Sequence, residues 1–183
     1  MVIVVLVLSL YVDLGCTGKD EKIQSKGETT MRIELTSKAF RNGENIPKQF
    51  TGDDKDISPP LQWTDSPEGT KSLALICDDP DAPRGTWVHW VIFNLPAAAR
   101  ELEQGVATKD VLDNGARQGK NDFGKIGYGG PAPPPGKAHR YFFKLYALDT
   151  TLDLAAGVTK EQVVAGMKGH ALAEGQLMGR YQR

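Results

Sequence analysis

A short segment, residues 78–90 with the sequence DDPDAPRGTWVHW, carries three aspartates and a histidine within thirteen positions. Carboxylates and an imidazole this close together could exchange protons, ligate a metal ion or bind a polar ligand. Two prolines and a glycine interrupt the same segment, so it also fits a polar turn between two strands. If the backbone is extended, the side chains of Asp79 and Asp81 point the same way, which favours a site.

A second histidine has a similar setting, at the start of the segment HRYFFKL, residues 139–145. Alternation along a strand predicts that each histidine shares an apolar face with residues of its own strand. The two faces consist of Trp87, His89, Val91 and Phe93, and of His139, Tyr141, Phe143 and Leu145. Both histidines follow loops rich in glycine and proline, which predicts one site shared with the aspartates and Tyr141. The alternative is a structural Asp-to-His hydrogen bond that joins the loop to the strand.

The segments that hold these residues have the composition of strands. SLALICDD is a continuous apolar run, while WVHWVIFNL and RYFFKLYAL are rich in aromatic and β-branched residues. Stretches rich in proline and glycine, such as ISPPLQW and GYGGPAPPPG, separate them. Strands joined by such loops favour a mainly β (α+β) fold, an antiparallel β-sandwich, over alternating βα units.

One short helix is predicted near the C-terminus, in TKEQVVAGMKGH, residues 159–170. Thr159 and Gln162 have the spacing of a capping box, and Gly169 can end the helix. The tail GHALAEGQLMGRYQR could extend it as a second short helix, but three glycines in fifteen residues disfavour a long one. We therefore expect a closing strand there.

The composition is that of one globular domain, because 183 residues with 40% hydrophobic and 25% charged residues can bury a substantial core. The formal net charge is −1, and Lys and Arg are scattered along the chain. Nucleic-acid binding requires a concentrated basic stripe, so we expect no nucleic-acid partner. Cys77 ends an apolar run, as small buried cysteines often do, and we expect no disulfide.

The amino-terminal residues 1–16 end in a cysteine that follows the apolar run MVIVVLVLSLYV. The run is shorter than the roughly 20 residues of a membrane-spanning helix and suits a signal-peptide core. It is similar to a bacterial lipoprotein signal, in which Cys16 is lipidated and residues 17–30 form a polar tether. We expect residues 31–183 to be an exported domain, periplasmic or at the cell surface, held to the membrane by a lipid anchor. Plain secretion and an uncleaved or cytosolic form are the alternatives.

Several ordered motifs resemble the phosphatidylethanolamine-binding protein family, also called Raf kinase inhibitor proteins. They are DDPDAP followed by WVHWVIFNLP, then GYGGPAPPPGKAHRYFFKLYAL. ISPPLQW and GHALAEGQLMGRYQR resemble the bacterial branch of the family. The resemblance covers residues 31–183 and implies a Greek-key β-sandwich with a small anion pocket for phosphate-type head groups. Carried over motif by motif, the ligand-binding residues are Asp79, Asp81, Pro83, His89, Gly130, Pro131, His139 and Tyr141.

The resemblance also implies a non-enzymatic binding protein without a cofactor, whose ligand is a small phosphate-bearing molecule or a phospholipid head group. It further implies a kinase- or protease-inhibitor-like regulator, with a kinase or protease as protein partner, and a homodimer. In such a pocket the histidine rings, the Tyr141 hydroxyl and the main-chain amides of the glycine loop would donate to phosphate. We expect Asp79 or Asp81 to orient a histidine ring.

Two other functions use the same residues. A hydrolase could employ the Asp, His and Tyr side chains, although no Ser or Cys stands in a nucleophile elbow. A metal ion could be bound by His89, His139 and the two aspartates, although no close spacing such as HExxH occurs.

Overall fold

The computed structural model describes residues 31–183, so the predicted signal segment, Cys16 and the polar tether lie outside the described residues. Within them the chain forms nine strands, one α-helix (α1) and a 3₁₀ helix at Lys48–Phe50. Their bounds are β1 Met31–Arg32, β2 Leu35–Thr36, β3 Leu61–Trp63, β4 Ser72–Asp79, β5 Trp87–Pro96, β6 Glu101–Leu102, β7 Arg117–Gln118, β8 His139–Leu148, α1 Lys160–Met167 and β9 Ala171–Tyr181. The predictions of a mainly β chain, a short helix and a closing strand are confirmed. Across this range, none of the helices is long and apolar enough to cross a membrane.

The strands form two sheets. The large sheet has the order β1-β9-β8-β4-β5-β7, and the small sheet has the order β2-β3-β6. Strand β1 pairs with β9 in parallel, whereas the other pairs are antiparallel. The pairing is therefore antiparallel, as predicted, except at one edge of the large sheet, where β1 lies parallel to β9. The Greek-key path remains a prediction.

Apolar side chains from both sheets meet in one core. Leu61 and Trp63 of the small sheet belong to the same buried cluster as Leu75, Phe143 and Leu145 of the large sheet. Alternation explains the β8 contribution, because every second residue from Tyr141 to Ala147 is buried in this cluster. Helix α1 covers the opposite face of the large sheet with its own smaller cluster.

Helix α1 is held by its cap and by two apolar residues. The backbone N–H of Thr159 donates to Oε1 of Gln162 at 2.9 Å, as the capping-box spacing predicts. Val163 and Met167 are buried against the large sheet. Since the helix has eight residues and is too short to be stable alone, this packing is what keeps it folded.

A β-bulge interrupts the pairing of β4 with β5. Cys77 pairs with Trp90 and Asp78 pairs with Val88, which leaves His89 without a partner residue on β4. A bulge of this kind adds one residue to a strand and shifts its alternation from that point on.

The bulge changes which residues share a face with His89. Val91 and Phe93 pack on the side of the large sheet that α1 covers. His89 instead lies against Tyr141 of the other face, with ring centroids 5.1 Å apart. The predicted face of Trp87, His89, Val91 and Phe93 is therefore wrong beyond His89, because strict alternation does not survive the extra residue.

Candidate functional site

Three strand ends meet at one end of the large sheet. Strand β4 ends at Asp79, which pairs with Trp87 at the start of β5, and β8 begins at His139. Because β4 is antiparallel to both neighbours, its last residue lies beside their first residues. A cavity of about 170 Å³ opens there. It is lined by Asp79, Ala82, Pro83, Trp87, His89, Phe123, Ala132, Pro133, Pro134, His139 and Tyr141.

Asp79 fixes the ring of His139. Nδ1 of His139 lies 2.8 Å from Oδ2 of Asp79, and both side chains are largely buried. An ionised carboxylate only accepts hydrogen bonds, so Nδ1 carries the hydrogen and donates it. The other carboxylate oxygen, Oδ1, accepts from the backbone N–H of Asp81 at 2.8 Å. Asp79 is therefore placed to orient the His139 ring, as predicted for one of the two aspartates.

His89 is fixed by the backbone. Its Nδ1 lies 2.6 Å from the carbonyl oxygen of Gly129, and the N–H of Gly129 donates to the carbonyl of His89 at 2.9 Å. The ring is 2% exposed and lies edge-to-face against Phe123 and Tyr141. Burial lowers the pKa of His89, while the Gly129 carbonyl and the charge of Asp79 act in the opposite direction. The imidazole is thus held in its neutral form by its surroundings.

Two buried polar atoms of the cavity lining have no hydrogen-bond partner. They are the hydroxyl oxygen of Tyr141 and Nε1 of Trp87. Burial raises the pKa of the Tyr141 hydroxyl, as do the charge of the Asp79 carboxylate and hydrogen bonding towards it, so the hydroxyl stays protonated. Among the described residues, neither donor has an acceptor in good hydrogen-bond geometry, although the Asp79 carboxylate lies near the Tyr141 hydroxyl. Such unpaired buried groups are rare in native structures.

Asp81 differs from its prediction. Its carboxylate binds Arg140 through Nε at 2.8 Å and Nη2 at 2.7 Å, and it accepts from the Arg140 backbone N–H at 3.0 Å. This arginine lowers the pKa of Asp81. Asp81 is absent from the cavity lining, and its carboxylate binds Arg140 whereas that of Asp79 binds His139. The turn after β4 redirects it, so Asp81 ties the loop to the outer face of β8.

Gly130 and Pro131 also differ from their prediction. The N–H of Gly130 donates to Oδ1 of Asp56 at 2.6 Å, so it is not free for an anion. The carbonyl of Pro131 accepts from Gly52 at 2.9 Å. Neither residue lines the cavity; the next three residues, 132–134, form that wall instead. A Cβ on Gly130 would lie 2.6 Å from the Phe50 carbonyl oxygen, which shows how closely the two loops pack.

The remaining predicted residues line one cavity, and their ligand-binding role stays a prediction. Pro83, His89, His139 and Tyr141 line the cavity together with Asp79. Trp87 also lines the cavity and is not among the predicted site residues, although alternation places it on the same face as His89. Period-two alternation was therefore a usable signal for that residue. No sequence pattern around Phe123 predicts its place in the cavity, because it lies in a loop.

Known proteins resemble this chain over nearly all of the described residues. The sequence profile of a family described as phosphatidylethanolamine-binding protein matches residues 36–182. The chain belongs to this family. A UPF0098 protein from Methanothermobacter thermautotrophicus is 52% identical over 151 residues, which cover 82% of this chain and 99% of the relative. A UPF0098 protein from Aquifex aeolicus is 48% identical over 172 residues, which cover 93% and 99%. Since archaeal and bacterial relatives both match, the bacterial branch is not established for this member of the family.

Solved structures of the family have the same fold. A phosphatidylethanolamine-binding protein homologue from Chlamydia trachomatis is similar with a TM-score of 0.75 and 43% identity, over 83% of this chain and 98% of that chain. YbcL of E. coli, a member of the mammalian family, is similar with a TM-score of 0.78 and 34% identity, over 83% and 99%. This chain thus has the fold of the family.

The cavity of this family member combines donors, acceptors and one negative charge. Tyr141 and Trp87 offer donors, the two imidazoles line the cavity and are hydrogen-bonded through Nδ1, and Asp79 carries the charge. Residues 31–183 contain no cluster of three His, Cys, Asp or Glu side chains suited to hold a metal ion. The arrangement can hold a small polar group by several hydrogen bonds at once.

Proposed function

We propose that this protein binds a small phosphate-bearing ligand, or the head group of a phospholipid, in the cavity at the ends of β4, β5 and β8. The observation that carries the proposal is the pair of unpaired buried donors, the Tyr141 hydroxyl and the Trp87 indole N–H. A buried donor without an acceptor costs about 1–3 kcal/mol, so a ligand with several oxygens would relieve both. The family name and the Chlamydia trachomatis homologue support a phospholipid-type ligand.

The cavity suits the two ends of an ethanolamine phosphate. Phosphate oxygens would accept from Tyr141 and Trp87, and a ligand ammonium would meet the carboxylate of Asp79. Phe123 and Pro134 are exposed at the rim and would contact the apolar part of a larger ligand.

The protein would bind this ligand without turning it over. Among the cavity-lining residues in the described range there is no Ser, Thr, Cys or Lys that could act as a nucleophile. The hydrolase and the metal site gain no support from the comparisons. We also infer a regulatory role against a kinase or a protease, supported by the sequence resemblance and testable as ligand-dependent inhibition of either class of enzyme.

Calorimetric titration of phosphorylethanolamine tests the binding function. Tyr141→Phe and His139→Ala should each weaken affinity by about 1–3 kcal/mol, because each removes a hydrogen bond to a charged group. His170→Ala is the matched control, since His170 also pairs with an aspartate, Asp149 at 2.7 Å, but lies outside the cavity.

Two outcomes would overturn the binding function. One is unchanged affinity in both cavity variants. The other is steady hydrolysis of a phosphoester or acyl ester that His139→Ala abolishes.

The oligomeric state and the membrane anchor of the protein are also inferred. We infer a homodimer from the family resemblance, and sedimentation at micromolar concentration measures it. We also infer a lipid anchor at Cys16, supported by the apolar run before it.

A further inference from the structure

The hydrogen bonds of the two histidines determine what they can offer a ligand. Nδ1 of His89 faces a carbonyl oxygen at 2.6 Å, and Nδ1 of His139 faces a carboxylate oxygen at 2.8 Å. Both partners are acceptors, so each Nδ1 must carry a hydrogen. A neutral imidazole has only one N–H, and therefore Nε2 of His89 is an acceptor when that ring is neutral. The neutral ring of His89 thus presents one acceptor to a ligand.

His89 is the histidine for which the neutral form is favoured most clearly. It is 2% exposed, so burial disfavours the imidazolium and lowers its pKa. The charged groups that act on His89 from the surrounding elements are Asp79, Asp122 and Asp56. All three carry negative charge and favour a proton on the ring, but burial outweighs them.

Asp79 makes the cavity unfavourable for a doubly charged anion. Its side chain is almost fully buried, and its negative charge raises the pKa of both His89 and Tyr141. Arg183 also acts on the pKa of Tyr141, in the opposite direction, but its guanidinium binds Asp53. Burial raises the pKa of the Cys77 thiol, so that neighbour stays uncharged. A dianion beside one buried carboxylate is repelled unless a proton enters with it.

The complementary ligand group therefore has several acceptor oxygens and one O–H donor. A phosphate monoester in its monoanionic form has this pattern: its oxygens accept from Tyr141 and Trp87, and its P–OH can donate to Nε2 of His89. A phosphodiester or a sulfate ester has acceptor oxygens but no such proton at neutral pH. It leaves Nε2 of His89 unpaired or requires the buried ring to become charged.

We propose that the cavity binds the phosphate of a monoester together with one proton, which lies between a phosphate oxygen and Nε2 of His89, and so selects monoesters over diesters and sulfates. This inference rests on the proposed function and narrows it to the small phosphate monoester, because the phosphate of a phospholipid head group is a diester. No bond forms or breaks; solvent supplies the proton when the ligand arrives as a dianion.

Titration of phosphorylethanolamine in buffers of different ionisation enthalpy measures the proton. The second pKa of a phosphate monoester is about 6, so the free ligand is mostly dianionic at about pH 7.5. Binding should then take up about one proton per ligand, and uptake should fall towards zero near about pH 5. Glycerophosphorylethanolamine carries the same ammonium group on a diester and should bind at least about tenfold more weakly. Methyl phosphate and methyl sulfate form a second matched pair and should differ in the same direction.

The outcomes separate this inference from the function on which it rests. Proton uptake with monoester preference supports both. Tight binding of phosphorylethanolamine without proton uptake, or equal affinity for the diester and for methyl sulfate, overturns the inference and leaves the binding function intact. Absence of binding by every phosphate ligand from about pH 5 to 8 overturns the binding function itself.

A variant locates the proton acceptor. His89→Leu should abolish the preference for methyl phosphate over methyl sulfate, whereas His170→Ala should leave it unchanged. A preference that persists in folded His89→Leu would contradict the assignment to His89. The wild-type titrations decide the monoester selectivity whether or not this variant folds.

Discussion

Asp79 and Asp81 have the same side chain and stand two positions apart, yet they bind different partners. Asp79 accepts from the His139 ring at 2.8 Å, inside the cavity lining. Asp81 binds the guanidinium of Arg140, which is half exposed. A substitution of Asp79 can therefore be compared with the same substitution of Asp81 as a control.

The Asp79→Asn variant distinguishes two effects of Asp79, orientation of the His139 ring and repulsion of the ligand phosphate. An Asn side chain removes the negative charge but holds the His139 ring less firmly, so phosphorylethanolamine affinity should fall by about 1–2 kcal/mol if orientation dominates. Calorimetry measures the change. Asp81→Asn should leave affinity within about threefold, because its carboxylate does not touch the cavity. A rise in affinity for Asp79→Asn would show that repulsion was the larger effect.

The wall formed by residues 132–134 depends on the loop at residues 51–56. Asp56 and Gly52 bond to the chain just before the wall. Asp53 joins this loop to the end of β9, since it accepts from the Tyr181 hydroxyl at 2.8 Å and from Nε of Arg183 at 2.8 Å. The Arg183 hydrogen bond, followed by that of Tyr181, lowers the pKa of the Asp53 carboxyl to about 2.

Asp53→Asn should destabilise the protein and loosen the cavity wall. Because the folded-state pKa is below the unfolded value, the stabilisation is present above about pH 4 and is lost as the pH falls towards 2. Denaturation curves of the wild type and the variant should therefore differ at neutral pH and converge in acid. Ligand affinity should fall at neutral pH as well. Asp54→Asn, at the exposed neighbouring position, is the control, and an equal effect there would contradict the role of Asp53.

Stability of the whole domain should depend on pH through His89. Its folded-state pKa is lowered by burial, so the unfolded chain binds a proton more readily as the pH falls below about 6.5. The free energy of unfolding should therefore decrease in acid, by at most about 1.4 kcal/mol per pH unit for this group. Urea denaturation of wild type and His89→Leu from about pH 8 to 5 measures the difference. An identical pH dependence in both would show that His89 is not held neutral by the fold.

The location of the domain rests on residues outside the described range. If Cys16 is lipidated, labelled palmitate should enter the wild type expressed in a bacterium, and Cys16→Ser should remain unlabelled. Cys77→Ser is the control, because Cys77 is buried in β4. Equal labelling of wild type and Cys16→Ser, or no labelling of either, would exclude the anchor.

The sequence alone determined the features that follow from local periodicity and local chemistry. The run SLALICDD predicted β4 with its observed bounds, since a continuous apolar run of that length suits a strand buried on both faces. Capping-box spacing and glycines predicted α1 and the strand after it. Alternation placed His139 and Tyr141 on one face of β8, because the pairing of this strand is regular from His139 to Ala147.

Only the tertiary structure decided how the site is assembled. The bulge at His89 depends on pairing with β4, so no pattern within β5 alone could reveal that His89 leaves the face of Val91. Asp81, Gly130 and Pro131 belong to loops whose backbone is set by partners far along the chain, such as Arg140 and Asp56. The unpaired donors on Trp87 and Tyr141 exist only because burial removes them from water without supplying an acceptor. Local sequence carries periodicity, whereas hydrogen-bond partners between distant segments are fixed only when the chain has folded.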